Sequence, residues 1–308
     1  MYRVLTFDGG GICGILSLVV LRRLIDERPN LLAEVDLFAG ASTGGIISLG
    51  LADGISPAVL QDLYVHKGKD IFKPQRFNWW GLQSAKYTNK GLLRLTEDVF
   101  ADHCLGDLAG KVLIPAFDLQ CVQDGKNVWY PKFFSNWSDD DPDCRVLARD
   151  VAMYTSAAPT FFPSYDGFID GGVAANNPCA AAMAMLLNPK VAGRRTSRRD
   201  LKILSIGTGM PAHSLDKRVL NWGLVKWAKQ LADVFMDGIV DVATYQCQAT
   251  LQEGFCRVNP RYDVGVRPGM DGWKQAAKLI ELGNAVDIRA AVKWLETEWP
   301  GKKEATSG

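Results

Sequence analysis

The sequence predicts an α/β fold: a mainly parallel central sheet flanked by helices, with a helical C-terminal region. Two observations carry this expectation. Short apolar β-rich runs alternate with longer helical patterns through the first two-thirds of the chain. Those runs are also continuously apolar, as in strands covered on both faces. The 308 residues, 47% hydrophobic and 22% charged, match a globular chain. A chain of this length hides roughly 75% of its unfolded surface, enough for a large core. Disordered, collagen-like and disulfide-dense classes are excluded.

In chain order, RVLTF (3–7) reads as a strand and DGGGICG (8–14) as a glycine loop. A helix follows from Ile15 to Glu27, apolar on most faces and therefore buried. VDLFAGA (35–41) is a second strand, and Thr43 to Leu51 a second helix. VLIPAFDLQ (112–120) and KILSIG (202–207) read as further strands buried on both faces. From Asn221 the pattern changes: Leu224, Trp227, Leu231, Val234, Phe235 and Ile239 recur at helical spacing. This Trp222–Ile239 helix is expected to serve as core or oligomer contact rather than membrane anchor. One last helix is expected over Trp273–Glu298, then a frayed tail, GKKEATSG.

Lys plus Arg number 35 and Asp plus Glu 34, so a net charge of +1 gives no field that draws the protein to nucleic acid. Seven cysteines, an odd number without a C-x-x-C pair, point to neither a zinc site nor a disulfide framework. MYRVLTF reads as a strand and not as a secretory signal. The longest apolar stretch, 37–52, is broken by Gly, Ser and Thr. A cytoplasmic protein without metal or cofactor is expected, with peripheral membrane contact left open.

Three motifs carry chemistry. Gly40-Ala41-Ser42-Thr43-Gly44 fits the G-x-S-x-G elbow, in which a strand turns sharply into a helix and thrusts a serine outward. Gly9-Gly10-Gly11-Ile12-Cys13-Gly14 satisfies G-x-G-x-x-G. A dinucleotide site would want an acid at the end of the second strand, but Asp36 stands at its start. The alternative use is an oxyanion cradle of backbone amides at a helix N-terminus. The third motif is FIDGGVAANNP (168–178), where Asp170 enters a turn with Gly171 and Gly172. A serine needs a base. Of His66, His103 and His213, only His213, just past SIGTG (205–209), is a candidate to compete with Asp170.

Together these elements resemble the patatin-like phospholipase family. Asp8-Gly9-Gly10-Gly11, the Ser42 elbow and Asp170-Gly171-Gly172 come in the family's order and spacing, and KYTNKGL (86–92), VLIPAFDLQ, TSAAPTFFP (155–163) and SIGTG add softer likeness over residues 1–260. The resemblance implies a catalytic domain over 1–260, with 261–308 as a helical extension packed on it. It implies a three-layer fold, metal-independent hydrolysis of fatty-acyl esters of phospholipids, and a catalytic dyad of Ser42 and Asp170. An oxyanion hole from the Gly9, Gly10, Gly11 and Thr43 amides goes with it, with Gly14, Gly40, Gly44, Gly171 and Gly172 as supports. The family loop reads G-G-G-x-R-G, whereas Cys13 stands here in place of the arginine. Some bacterial members degrade membranes when a signal nucleotide binds, so activation by a nucleotide stays open, as does homo-oligomerisation.

The competing readings are an α/β-hydrolase using a Ser42–His213–acid triad and a non-catalytic nucleotide binder using the Gly9–Gly14 loop. Only 39 residues precede Gly40, too few for the strands that come before the elbow in an α/β-hydrolase. Two surface features are ambiguous: GRRTSRR (193–199) reads as a solvated loop or an anionic-lipid contact, and Phe77–Leu82, with Trp79 and Trp80, as packing, flap or lipid-docking edge.

Overall fold

A computed structural model describes residues 1–75, 84–212, 223–299 and 301, without the side chains of 224–226, 228–230 and 232. Phe77–Leu82, His213 and most of the tail lie outside the described residues. The chain opens with β1 (Tyr2–Phe7), α1 (Gly14–Glu27), α2 (Leu31–Glu34), β2 (Leu37–Gly40) and α3 (Thr43–Ala52). Next come α4 (Pro57–Ile71), α5 (Lys90–Phe100), β3 (Val112–Gln123), β4 (Lys126–Ser135), α6 (Ala148–Ser156) and β5 (Phe168–Asp170). Then follow α7 (Gly172–Ala175), α8 (Cys179–Leu187), α9 (Pro189–Ala192), β6 (Leu201–Ile206) and β7 (Met210–Pro211). The last elements are α10 (Leu224–Leu251), β8 (Phe255–Val258), β9 (Arg261–Tyr262), α11 (Ala276–Ala285) and α12 (Arg289–Glu298).

The main sheet runs β4-β3-β2-β1-β6-β8, with β5 also paired to β3, and β7 pairs separately with β9. β3-β2-β1-β6-β8 are parallel, whereas β4 and β5 run antiparallel to β3. The continuous apolar runs have a direct cause. Leu5, Phe7, Leu204 and Ile206 enter a core with α1 and α3, while Val4, Leu37 and Ile203 enter a second core with α8 and α10. Successive side chains point to opposite faces, so two covered faces demand apolar residues at every position. The expected helix-flanked, mainly parallel sheet is thus present.

Several expectations need correction. VLIPAFDLQ is buried on both faces only over Val112–Ala116; beyond it β3 continues into solvent, paired with β4. The hairpin turns at Asp124-Gly125, both at positive φ (50° and 72°), as a two-residue turn of this type requires. The expected Trp273–Glu298 helix is two helices, α11 and α12, parted at Val286–Ile288, where Asp287 accepts the Arg289 N–H at 3.0 Å. Both rest against α1, and Arg23 donates to the Gly283 and Val286 carbonyls at 2.9 and 2.7 Å. The α10 helix is longer than expected and not simply core: Val234 and Phe235 are more than half exposed.

Candidate active site

β2 ends at Gly40 and α3 begins at Thr43, so Ser42 occupies the turn between them at φ 53°, ψ −124°. For a non-glycine residue this is a strained conformation, and it persists only where the surroundings over-determine it. They do so here. A Cβ on Gly40 would lie 1.9 Å from the Gly44 carbonyl oxygen, and one on Gly44 2.3 Å from the Phe7 carbonyl oxygen. Thr155 Oγ1 also accepts the Ser42 amide at 2.9 Å. Behind the elbow every residue of α3 is buried, so the helix has no slack to relax the turn.

Asp170 ends β5, paired with Ala116 of β3, and is 5% exposed. Its Oδ1 accepts the Gly172 N–H at 2.7 Å, and the Ser42 hydroxyl beside its carboxyl favours the ionised form. Gly171 donates to the Thr155 carbonyl at 3.1 Å, so Thr155 holds the Ser42 turn with its side chain and the Asp170 turn with its backbone. Burial pushes the Asp170 carboxyl up to about 6, outweighing the pull of the Ser42 hydroxyl and the Gly172 N–H, which favour its ionised form. The structure therefore sets beside Ser42 a carboxylate more basic than usual.

The glycine loop passes over the same point. A Cβ on Gly9 would lie 3.2 Å from that of Ser42. The Gly9 amide, however, donates to the Asn176 carbonyl at 3.0 Å and is spent, which corrects its expected place among the oxyanion donors. The Gly10, Gly11 and Thr43 amides have no acceptor among the described residues, and all three residues line the Ser42 cavity. Asp8 anchors the loop, both of its oxygens gripped by Arg257 of β8. Gly14 opens α1 against Thr43. Cys13 is fully buried and turned away from solvent, its Sγ 3.4 Å from the Pro268 carbonyl; burial pushes the thiol up against the opposing charge of Arg267.

Ser42 and Asp170 lie at the polar end of a cavity of about 540 Å³. Ile46 of α3, Ile71 and Phe72 at the end of α4, Phe161 and Phe162 after α6, and Phe235, Met236 and Ile239 of α10 make the rest of it almost wholly apolar. Of the described histidines, His66 is exposed and His103 holds Asp53 at 2.9 Å; neither lines the cavity, and His213 lies outside the described residues. Among the described residues no cluster of His, Cys, Asp and Glu could hold a metal ion, and no helix is long and apolar enough to cross a membrane.

Sequence reasoning missed four contributors. Tyr64 of α4 clamps Thr43, 2.6 Å from its hydroxyl and 3.2 Å from its carbonyl. Thr155 and Asn176 act as above. The Met270 carbonyl takes the Ile12 N–H at 2.8 Å, in a strap fastened by Lys86 and Tyr87 to Asp271 at 2.5 and 2.6 Å.

The family model for patatin-like phospholipases matches residues 5–183, which hold the elbow, the glycine loop and Asp170. The chain belongs to the patatin-like phospholipase family. The family acts on lipid esters as hydrolases. Protein teg of Priestia megaterium is 29% identical over 97% of this chain and 99% of its own length. The putative sporulation hydrolase CotR of Bacillus subtilis is 32% identical over 73% of this chain and 68% of its own. A cGAMP-activated phospholipase of Escherichia coli is 34% identical over 71% of this chain and 65% of its own. The matched segment thus holds Ser42, Asp170 and the glycine loop of this patatin-like chain, while the α10 wall of the cavity, Arg257 and the Met270 strap lie beyond it.

Proposed function

We propose that this patatin-like chain is a lipid acyl hydrolase that cleaves fatty-acyl esters of phospholipids through a Ser42–Asp170 dyad. The observation that carries the proposal is the meeting of a strained Ser42 with a buried carboxylate whose pKa is about 6, at the polar end of an apolar cavity. Asp170 takes the Ser42 proton as Oγ attacks the ester carbonyl carbon. The oxygen of the tetrahedral intermediate gathers negative charge beside the amides of Gly10, Gly11 and Thr43, which have no acceptor among the described residues; one such donor is typically worth roughly 100- to 1000-fold in rate. The carbon–oxygen bond to the alcohol breaks, and the alcohol leaves with the proton held by Asp170. Water then gives a proton to Asp170 and attacks the acyl-Ser42 ester, and the fatty acid departs as Ser42 regains its proton. The cavity holds the acyl chain, and peripheral contact with a membrane supplies it.

The test is turnover of a short p-nitrophenyl ester and of phospholipid vesicles by wild type, Ser42→Ala, Asp170→Asn and His213→Ala, with and without cGAMP. Ser42→Ala is expected to abolish turnover and Asp170→Asn to lower it roughly 10²- to 10⁴-fold, the usual contribution of a general base. His213→Ala is expected to stay near wild type. An inactive His213→Ala beside an active Asp170→Asn would replace the dyad by a triad. Turnover that rises with cGAMP would extend to this chain the activation named for its E. coli relative.

A further inference from the structure

The helix α10 has one apolar sector too many for a helix lying on a sheet. A period of about 100° per residue sorts it into three. Val240, Ala243 and Cys247 face inward and are buried. Asp233, Asp237 and Asp241 follow each other at four-residue steps along one flank. The remaining sector, about 100° wide, holds Leu231, Val234, Phe235, Val242, Tyr245 and Ala249, and no charged residue of α10 falls in it. Its large members beyond Leu231 stand in solvent: Val234 is 53% exposed, Phe235 62%, Val242 56% and Tyr245 73%. Single exposed apolar residues are ordinary, but a stripe of them along one helix marks an interaction surface.

We propose that this stripe seats the protein on the surface of a neutral or zwitterionic lipid bilayer, with α10 lying in the plane of the interface. Two observations choose the occupant. The first is continuity with the cavity. Phe235 and Ile239 line the Ser42 cavity on one side and, with Val242 of α10 and Phe133 of β4, an apolar groove on the other. A lipid with its scissile ester at Ser42 and one chain in the cavity therefore has an apolar track from the site to the outer face of α10. The second is charge. The helix carries three acids and two lysines and so no net positive charge, and its outer sector is uncharged. Anionic headgroups are drawn by basic clusters, and the outer sector of α10 contains no basic residue. What it offers a bilayer is apolar burial, as interfacial helices do. The inference rests on the proposed function for its substrate, yet it is read by binding as well as by activity.

The experiment uses the full chain carrying Ser42→Ala, so that vesicles stay intact, and measures co-sedimentation with phosphatidylcholine vesicles. The double variant Val242→Asp, Tyr245→Asp alters two exposed residues outside the Ser42 cavity. It is expected to lower partitioning at least about tenfold, since each side chain forfeits its apolar burial and brings a charge. Val234→Asp repeats the reading from another turn of the helix. Val59→Asp, at an exposed valine on α4, is expected to leave partitioning alone. With Ser42 restored, the double variant should lose turnover of vesicle phospholipid and keep that of a short soluble ester, which also reports that it folds.

Equal partitioning of the double variant and its parent would overturn the proposal. So would a lipid-free dimer that the double variant turns into monomers, since a second copy would then cover the stripe. So, too, would binding that requires phosphatidylglycerol in the vesicles. If wild type hydrolyses neither substrate but binds vesicles in a Val242- and Tyr245-dependent way, the docking surface stands and the proposed function falls.

Discussion

The cavity has two apolar walls built on opposite terms. Helix α3 is wholly buried and, Thr43 and Ser48 apart, apolar, with Gly44 against the Phe7 carbonyl and Gly45 against Thr155. Helix α10 contributes Phe235, Met236 and Ile239 to the same cavity, yet keeps one face in solvent. The first wall is fixed on every side because it holds the Ser42 turn in a conformation that a looser helix would release. Among the described residues the second has neighbours on one side only, so its residues bound the chain-binding space without setting the geometry of the reacting atoms. Apolar sequence alone does not distinguish these roles. What distinguishes them is how many layers press on each helix.

The comparison breaks most sharply at Gly44. A Cβ there meets the Phe7 and Asp8 carbonyl oxygens at 2.3 and 2.7 Å, atoms of β1 and its end that have no room to retreat. Gly44→Ala is expected to cost about 3 kcal/mol or more, at the upper end of overpacking effects. Loss of ester turnover should accompany it, because the elbow must shift. Urea denaturation checks this; an unchanged midpoint with retained turnover would mean that α3 is not the rigid wall argued here.

The next effect separates chemistry from stability at Asp170. Its folded pKa, about 6, lies above the usual 3.8, so folding favours the protonated form. The group is most compatible with the fold below its unfolded value, and that compatibility is lost as pH rises through about 6. Ester turnover by wild type should therefore climb as pH is raised through about 6 and then level, as the base ionises. Asp170→Asn removes the buried charge and keeps an acceptor for Gly172. At pH 8 it should be more stable than wild type by up to about 3 kcal/mol while losing turnover. A variant that is both less active and less stable at that pH would assign Asp170 a structural role.

The fixed wall was also the more legible in the sequence. Its parts are local: strand, glycine loop, helix, strand, elbow and helix follow in the first 52 residues, and each carries its own signal in glycines and apolar runs. The atoms that complete the site come from far along the chain. Thr155 is 113 residues from the amide it binds, and Met270 reaches back to Ile12. TSAAPTFFP and KYTNKGL were visible as segments, but nothing local assigns Thr155 to Ser42 or Tyr87 to Asp271. That the Gly9 amide is spent on Asn176 is likewise a fact of assembly. The β3–β4 hairpin did carry a local signal, Asp124-Gly125 between β-rich runs. The break at Val286–Ile288 was hidden because apolar residues continue at helical spacing across it. On α10 the periodicity revealed a helix, but two apolar sectors look like one broad one until the sheet claims the inner of them.

The smallest expected effect lies on the second wall and sharpens the comparison rather than breaking it. Ile239 is partly buried and reaches the cavity from α10. Truncation to alanine removes apolar contact with a bound chain in proportion to how far that chain extends. Ile239→Ala should therefore raise KM for a long-chain ester roughly three- to tenfold, at the low end of what a few methylenes are worth in an apolar pocket. The rise should be smaller for a butyryl ester, and kcat should fall less than twofold, about 0.4 kcal/mol in the barrier. Michaelis–Menten parameters across a series of acyl lengths test this directly. A fall in kcat of the same size at every chain length would place Ile239 in the support of Ser42 or Asp170, and the two walls would no longer differ in kind.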